Sequence, residues 1–570
     1  MRLKISESKN SKSLYVIEST YIDGKHSSRV VEKLGTFNEL LKKLDGQDPI
    51  EWAKEYIKEL NIKEKEDKRE VIHKYSPTKI IPKNKQRAFN GGYLFLQRIY
   101  FQLGLHKICG MISKKYKFKY DLDSILSRLI YGRIIFPSSK LSTYKLSKKL
   151  IEQPNFALHH IYRALGVIAK ESNLIQSELY KNSLKMSKRN TGILYYDCTN
   201  FFFEIEEESG LKQYGVSKEH RPNPIVQMGL FMDGDGIPLS FSITEGNKNE
   251  QTTLRPLEQQ ILTDFELSKF VVCTDAGLAS NENRRFNDRN GRAFITTQSI
   301  KKLKDHLKKW ALNPEGWHLP NMEDQFNLDY LDPEKDYDKI YYKERWINEN
   351  NLEQRLIVTF SLKYKNYQRE IRNNQINRAE KVIKKNPGKL KKANQNDYKR
   401  LIAKTNYTQY GELAEEQHLS LDEELIINEE RFDGFYGVCT NLEDEISKII
   451  KINQGRWEIE ETFRIMKKEF KARPVHLSRD DRIIAHFTTC FIALLVYRLL
   501  EKRIDEKYTA NEIIYGIREM NFYKIEHEGY SPIYTRNDFT DDLHEAYEFR
   551  TDYEIITKKT LKEIIKKTKR

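Results

Sequence analysis

The chain has 570 residues, a formal charge of +15, 39% apolar residues and 32% charged ones. That length suits about three or four domains, and 27 Phe with 33 Tyr supply enough bulky core material to exclude wholesale disorder. The positive balance favours a polyanionic partner through counterion release, although a surface solvated throughout by lysine gives the same number.

Residues 1–85 read as a small α+β module, a candidate DNA-binding one. "SLYVIESTYID" and "SSRVVEKLGTF" are two strands joined by a turn at Gly24-Lys25, followed by a helix from Pro49 to Leu60 and a charged linker through Arg87. Residues 86–190 are helical by their spacing of three and four in "GGYLFLQRIYFQLGL", "LDSILSRLIYGRII" and "FALHHIYRALGVIAK". Ser138 or Ser139 in "FPSSKLST" is placed to cap the next helix. Short helices interleaved with Lys, Arg and Tyr suit a DNA-binding bundle, and periodicity alone fits an ordinary bundle equally well.

From 191 to 299 the pattern changes. "ILYYDCTNFFFE" is an apolar, β-rich strand, and "IVQMGLFMD" and "PLSFSITEG" follow it around a hairpin turn at Gly234-Asp235-Gly236. A helix from Gln251 to Leu262, the buried strand "FVVCTDAG", a short helix over Asn281 to Asn287 and the strand "AFITTQS" complete a mixed α/β sheet. Residues 300–432 are irregular and read as an insertion with strands and helices of its own. Within them, residues 361–404 hold 14 Lys or Arg against three Asp or Glu. The strand "FYGVCTN" returns the chain to the sheet, 433–505 ends in helices, and 506–570 is a charged C-terminal region.

The five cysteines are far apart with no C-x-x-C pair, which reads as buried, reduced thiols. The N-terminus lacks the apolar core of a signal peptide, and the longest apolar stretch, Phe487 to Leu500, is too short and too interrupted for a bilayer span. The expectation is a soluble cytoplasmic protein with no membrane partner.

Three carboxylates stand out. Asp197 lies inside an apolar strand and Asp275 ends another, and a carboxylate in such a place is costly without a partner or a metal. The plainer readings are an edge-strand position for Asp197 and a helix-capping role for Asp275. Glu460 lies in "NQGRWEIEETFRIMKKEF", where at about 100° per residue Arg456, Glu460 and Lys467 fall within about 40° of one another. The plainer reading there is an exposed charge ladder with little energetic value. Chemically, two Asp and one Glu supply the hard oxygens that Mg²⁺ prefers. Two such ions about 3.5–4 Å apart serve the attacking and leaving oxygens of phosphodiester cleavage. Arg456 and Lys467 are suited to phosphate contacts beside them.

In this arrangement the chain resembles the insertion-sequence transposases of the DDE superfamily, and within them the subgroup with a Tyr-x2-Arg-x3-Glu-x6-Lys signature. Arg456, Glu460 and Lys467 fit that spacing, with Asn453 in the place of the tyrosine. "YYDCTN", "CTDAGLAS", "YGVSKEHRPNPIVQMGLFMDGDGIPLSFSITEGN", "RPVHLS" and "IIAHFTTCFIALLVYRLLE" are similar to the family as well.

The resemblance implies an α/β fold with an RNase H-like mixed sheet flanked by helices, split by a large insertion into a first part (191–299) and a second part (433–505). It implies Asp197, Asp275 and Glu460 as the catalytic and metal-holding triad, with Mg²⁺ as cofactor, replaceable by Mn²⁺, in a pair of ions. It further implies double-stranded DNA as partner (element ends and target), recognition of terminal inverted repeats, nicking, 3′-OH strand transfer, and a homodimer or larger synaptic assembly associated with the nucleoid. Beside the triad, His220 and Arg221 in "SKEHRP" are candidate DNA contacts. Trp457 is a candidate for stacking on a displaced base, with core packing as the favoured alternative. His476 and His486 read as structural. Two other functions stay open: a catalytically silent DNA-binding protein derived from a transposase, and a metal-dependent nuclease without strand transfer.

Overall fold

Apolar, β-branched runs build a ten-stranded sheet that organises most of the chain. A computed structural model describes all residues except 9–10, 23–24, 45, 68–69, 73–74, 386–396 and 408–412. Two units emerge, residues 1–85 with 525–528, and residues 86–524 with 529–570.

In the first unit an antiparallel sheet runs β1 (Arg2–Ser8), β2 (Ser11–Ile22) and β3 (Lys25–Thr36), followed by α1 (Phe37–Lys43) and α2 (Pro49–Asp67). The sequence reading missed β1, which has few apolar residues and is mostly exposed, and α1. Thr36 caps α1 through the Glu39 amide while the Glu39 carboxylate accepts from the Thr36 amide, a reciprocal capping box. The turn expected at Gly24-Lys25 involves Gly24, which lies outside the described residues.

The second unit begins with β4 (Ala88–Asn90) and six helices: α3 (Tyr93–Gln102), α4 (Leu105–Tyr116), α5 (Leu122–Ile135), α6 (Lys140–Ser147), α7 (Leu158–Lys170) and α8 (Ser172–Met186). Ser139 is the cap of α6, accepting from the Ser142 amide at 3.2 Å. Next come β5 (Ile193–Phe202), β6 (Ile225–Asp233), β7 (Pro238–Glu245), α9 (Leu254–Asp264), β8 (Val271–Thr274), α10 (Asn281–Phe286) and β9 (Ala293–Gln298). Gly236 takes a φ of +75° in the β6–β7 turn, a conformation that favours glycine.

Residues 300–432 contain α11 (Asp305–Leu312), β10 (Trp317–His318), β11 (Gln325–Phe326), β12 (Tyr341–Glu349), β13 (Leu352–Phe360), α12 (Leu362–Lys385), β14 (Ile402–Tyr407), β15 (Leu413–Leu421) and α13 (Glu423–Glu430). Then follow β16 (Phe435–Thr440), α14 (Ile446–Gln454), α15 (Trp457–Lys468) and α16 (Asp480–Arg503). The chain closes with α17 (Ala510–Glu519), β17 (Asn521–Ile525), β18 (Gly529–Pro532), α18 (Asp538–Tyr547), β19 (Ile556–Thr557) and α19 (Lys558–Thr568). A small sheet, β19-β18-β17-β4, ties the last strands to the first strand of this unit.

The large sheet has the order β11-β10-β12-β13-β16-β9-β8-β5-β6-β7. β5, β8 and β9 pair in parallel and their other neighbours are antiparallel, so the sheet is mixed. Strands β10 to β13, between residues 317 and 360, extend this sheet beyond β16. The β14–β15 hairpin pairs separately, and Ala379 of α12 packs with Leu401 and Leu419 in a small cluster of its own.

Alternation along β5 directs its residues to opposite faces. Tyr196 and Cys198 pack with Leu254, Leu257 and Ile261 of α9, whereas Tyr195 and Phe201 belong to the core shared with α15 and α16. The 24-residue α16 is longer than the apolar stretch read from sequence, and by length and composition it is long enough to cross a membrane. Its apolar part is instead buried against α3, α5, α7 and β7. All five cysteines are buried and unbridged.

Candidate active site

β5 is flanked by β8 and β6, so Asp197 is on an interior strand and not at an edge. β5 and β8 run parallel with Tyr195 opposite Cys273. Continued two residues, that register sets Asp197 level with Asp275, with both side chains on the face shared with Tyr195 and Cys273. Asp275 lies one residue past the end of β8, and both carboxylates are partly buried. Asp275 does not cap α10; that role belongs to Ser280, while Asp275 Oδ1 accepts from the Leu278 amide at 3.0 Å.

The third carboxylate comes from the helix above this face. α14 ends at Gln454, and the break at Gly455 turns the chain so that α15 starts at Trp457. The Tyr195 hydroxyl donates to the Ile452 carbonyl at 3.0 Å and fills the space beside Gly455, where an added Cβ would lie 2.2 Å from that oxygen. Farther along the strand, Lys467 donates to Thr199 at 2.7 Å, and Phe201 packs on Phe487 of α16. Tyr195, Thr199 and Phe201 thus meet successive parts of the α14–α16 layer, and Asp197 lies between them on the same face.

Arg456 pairs with one of the carboxylates and reaches the sheet. Its Nη2 is 3.6 Å from Glu460 Oε1, and its Nη1 donates to the Thr297 hydroxyl at 3.1 Å. Burial works against its charge, and the neighbouring Tyr436, Cys273, Asp275 and Asp197 outweigh that and raise its pKa. Burial also pushes Asp197 up to about 6; the negative charge of Asp275 adds to this, while Lys218 and Arg456 oppose it. Lys467 is lowered to about 8, first by burial and then by the positive charge of Lys218, with Asp197 pulling the other way.

Glu460 is 65% exposed and turned toward Arg456, so the Arg456–Glu460 pair does form. The sequence reading of an exposed ladder holds for Glu460 but not for Arg456, whose side chain is only 18% exposed and reaches across to β9. The three carboxylates do not gather as tightly as a preformed metal cage. Among the described residues, the group of three metal-binding side chains whose ligand atoms all lie within 4.8 Å is Asp541, His544 and Asp552. There, Arg536 and Arg550 already neutralise the two carboxylates.

Other candidates fall around this centre. Trp457 is 59% exposed, which corrects the favoured expectation of core packing. Ile459, Phe463, Met466 and Phe470 take the inward positions instead. Trp457 lines a cavity of about 590 Å³ together with Tyr364, Tyr367, Tyr436, Arg456 and Glu460. Asn453, in the signature tyrosine's place, donates to the Tyr436 hydroxyl at 3.4 Å, and that hydroxyl lies 2.7 Å from Thr297 Oγ1. Sequence reasoning did not single out Tyr436, Thr297 or Thr199; they come from other strands, and no spacing rule connects them with residues 453–467.

The β5–β6 connection contributes Lys218, Glu219, His220 and Arg221. Lys218 donates to the Cys198 carbonyl at 2.5 Å and pairs with Glu250 at 3.2 Å. His220 is exposed and has a φ of +55°, closing a turn onto the Ser217 carbonyl. The Arg221 guanidinium stacks 4.7 Å from the Phe202 ring centroid. His486 is buried with Nε2 3.2 Å from the Ala472 carbonyl oxygen, and His476 is exposed.

The donor set suits a hard divalent cation: Asp197 inside β5, Asp275 one residue past the end of the neighbouring β8, and Glu460 one helical turn from Arg456.

No curated protein matches the chain. Among solved structures, the cryo-EM structure of the piggyBac transposase synaptic complex with hairpin DNA aligns at 7% identity and a TM-score of 0.36, covering 85% of this chain and 88% of that one. A likeness that low carries no argument about the fold. The family described as Transposase DDE domain matches residues 201–496, a span that includes Asp275 and Glu460 and begins four residues after Asp197. Since that match covers more than half of the sequence, the chain belongs to the family of transposases with a DDE domain.

Proposed function

We propose that this chain is an insertion-sequence transposase of the Tyr-Arg-Glu-Lys subgroup that binds terminal inverted repeats, nicks DNA by metal-dependent hydrolysis and transfers the freed 3′-OH strand into target DNA. The observation that carries this reading is the parallel β5–β8 register that sets Asp197 beside Asp275 beneath the helix bearing Arg456, Glu460 and Lys467. In this reading β5 to β9, β16 and α14 to α16 form an RNase H-like core. Residues 300–432 are its insertion, and the helices of 86–190 and the module of 1–85 hold DNA.

Asp197, Asp275 and Glu460 would hold the cations, Mg²⁺ or Mn²⁺ and two in number. When bound, such a pair activates the attacking oxygen and stabilises the leaving one. Asp197 and Asp275 present fixed oxygens from adjacent strands, and Glu460 completes the set from the helix. Arg456 stays charged beside Glu460, where its guanidinium is suited to a bidentate contact with a phosphate. Lys467 and Lys218 add positive charge around Asp197. His220 and Arg221 lie on the connection that carries Lys218 and extend the same basic rim. Trp457, exposed among tyrosines next to Glu460, offers a stacking surface for an unpaired base. The protein works as a homodimer or larger synaptic assembly, in the cytoplasm on nucleoid DNA.

The test is nicking and joining of DNA that carries the element's own ends. The wild type nicks with Mg²⁺ or Mn²⁺ and not with EDTA, and joins a pre-cut end to a target. Asp197→Asn, Asp275→Asn and Glu460→Gln each abolish nicking and retain end binding. Nicking without joining identifies a nuclease; end binding without nicking under either metal identifies a silent DNA-binding protein.

A further inference from the structure

Glu219 is an anion held between two cations beside the site. Its carboxylate pairs with Lys467 at 3.5 Å and is in direct contact with the Arg473 guanidinium. All three side chains are largely withdrawn from water, at 14% exposure for Lys467, 23% for Glu219 and 24% for Arg473. Lys467 is anchored on Thr199, two residues along β5 from Asp197. Arg473 is anchored independently: the Val475 amide donates to the Phe202 carbonyl at 3.0 Å, the Glu204 amide donates to the Val475 carbonyl at 3.3 Å, and the Arg473 guanidinium lies 5.9 Å from the Phe202 ring centroid. Two cations are therefore fixed to the strand that carries Asp197, one through Thr199 and the other through Phe202.

Glu219 itself belongs to the β5–β6 connection. Its amide donates to the Ser217 hydroxyl at 3.3 Å, while the neighbouring Val216 is 89% exposed. The connection is thus held here by polar turn contacts more than by apolar burial, whereas its two cationic partners are fixed from the sheet. Lys218, beside Glu219, is engaged elsewhere with Cys198 and Glu250, so it does not neutralise the Glu219 carboxylate.

We propose that Lys467 and Arg473 form a subsite for a DNA backbone phosphate next to the Asp197–Asp275 pair, and that Glu219 occupies this subsite as a carboxylate stand-in until DNA displaces it. A carboxylate and a phosphate offer the same pair of acceptor oxygens to a guanidinium. The Lys467 ammonium adds a point charge that accepts either anion. Arg473 is in this way a DNA-binding residue outside the Arg-Glu-Lys helix, and Glu219 sets how tightly the unliganded site resists DNA. The inference rests on the transposase reading above, because it takes its ligand to be DNA.

The experiment measures binding of a 30-base-pair duplex by fluorescence anisotropy over a series of salt concentrations, for full-length wild type, Glu219→Gln, Arg473→Ala, Arg473→Lys and the Glu219→Gln/Arg473→Ala double variant. Removing the resident carboxylate strengthens binding by roughly tenfold at low salt and steepens the log–log salt dependence by about 0.9, the increment for one phosphate contact. Arg473→Ala weakens binding and makes the slope shallower by a similar amount; Arg473→Lys retains the slope and keeps the test valid if the alanine variant folds poorly. In the double variant most of the Glu219→Gln gain is lost. A Glu219→Gln protein with unchanged or weaker binding and a lowered melting temperature overturns the inference, since Glu219 is then a structural latch only. That outcome is separable from failure of the functional reading, in which the wild type itself neither binds nor nicks DNA.

Discussion

The Arg456 guanidinium faces Glu460 at 3.6 Å, and from its other terminal nitrogen it donates to Thr297 on β9 at 3.1 Å. A side chain on the helix is thereby oriented by the sheet, so the position of α15 over Asp197 and Asp275 depends in part on one hydroxyl. Thr297→Val keeps the shape and removes the acceptor. Nicking by this variant should slow about tenfold while end binding changes little, because a small loss of positioning costs rate before affinity. An unchanged nicking rate would show that Arg456 needs no support from β9.

Gly455 and Tyr195 form a second such contact. A methyl group at 455 would lie 2.2 Å from the Tyr195 hydroxyl. Gly455→Ala should therefore destabilise the protein by about 1–3 kcal/mol as an overpacking substitution. Tyr195→Phe alone costs about 1 kcal/mol for the lost bond to the Ile452 carbonyl. With the oxygen gone, Gly455→Ala becomes less costly, and urea denaturation of the four proteins of this cycle should be clearly non-additive. Additive losses would mean that the break between α14 and α15 is not held by Tyr195.

Trp457 separates packing from recognition. Its exposure means that Trp457→Ala should shift the melting temperature little. Binding of a duplex with an unpaired base at the cleavage position should weaken by about 1–3 kcal/mol, with a fully paired duplex much less affected. Equal weakening for both probes would remove the stacking role.

Lys140, 7% exposed, is lowered to about 7, chiefly by burial and further by Arg133. Between that value and the ordinary lysine range the unfolded chain binds more protons than the folded one, so stability rises with pH over this window and is lost as pH falls toward 7. Wild type compared with Lys140→Met by urea denaturation at pH 7, 8 and 9 should show the wild type gaining up to about 1.4 kcal/mol per pH unit relative to the variant. A constant difference would place the ammonium in water.

The local elements of this candidate site are legible in the sequence. The apolar runs around Asp197 and Asp275 specify strands, and the Arg456–Glu460 spacing of one turn survives the chain break at Gly455 because that break falls just before Arg456. The register of β5 against β8 was not legible, since it depends on segments some eighty residues apart. The exposure of Trp457 follows from where α15 begins: starting the helix at 457 gives Ile459, Phe463, Met466 and Phe470 the inward positions and leaves the tryptophan outside. Strands β10 to β13 looked irregular because β10 and β11 are two residues long and the charged run Lys343-Glu344-Arg345 interrupts any alternation in β12. The contacts of Tyr436, Thr297, Glu219 and Arg473 join distant segments and leave no trace in spacing.

The central claim is that Asp197, Asp275 and Glu460 hold the divalent metal. Substituting Fe²⁺ in the full-length protein and adding ascorbate with peroxide cuts the backbone beside the bound ion, and mass spectrometry locates the cuts. Fragments ending near residues 197, 275 and 460, suppressed by excess Mg²⁺ and absent from Asp197→Asn, are the predicted result. Cutting confined to the Asp541–Asp552 segment, where Asp541, His544 and Asp552 cluster, would contradict it.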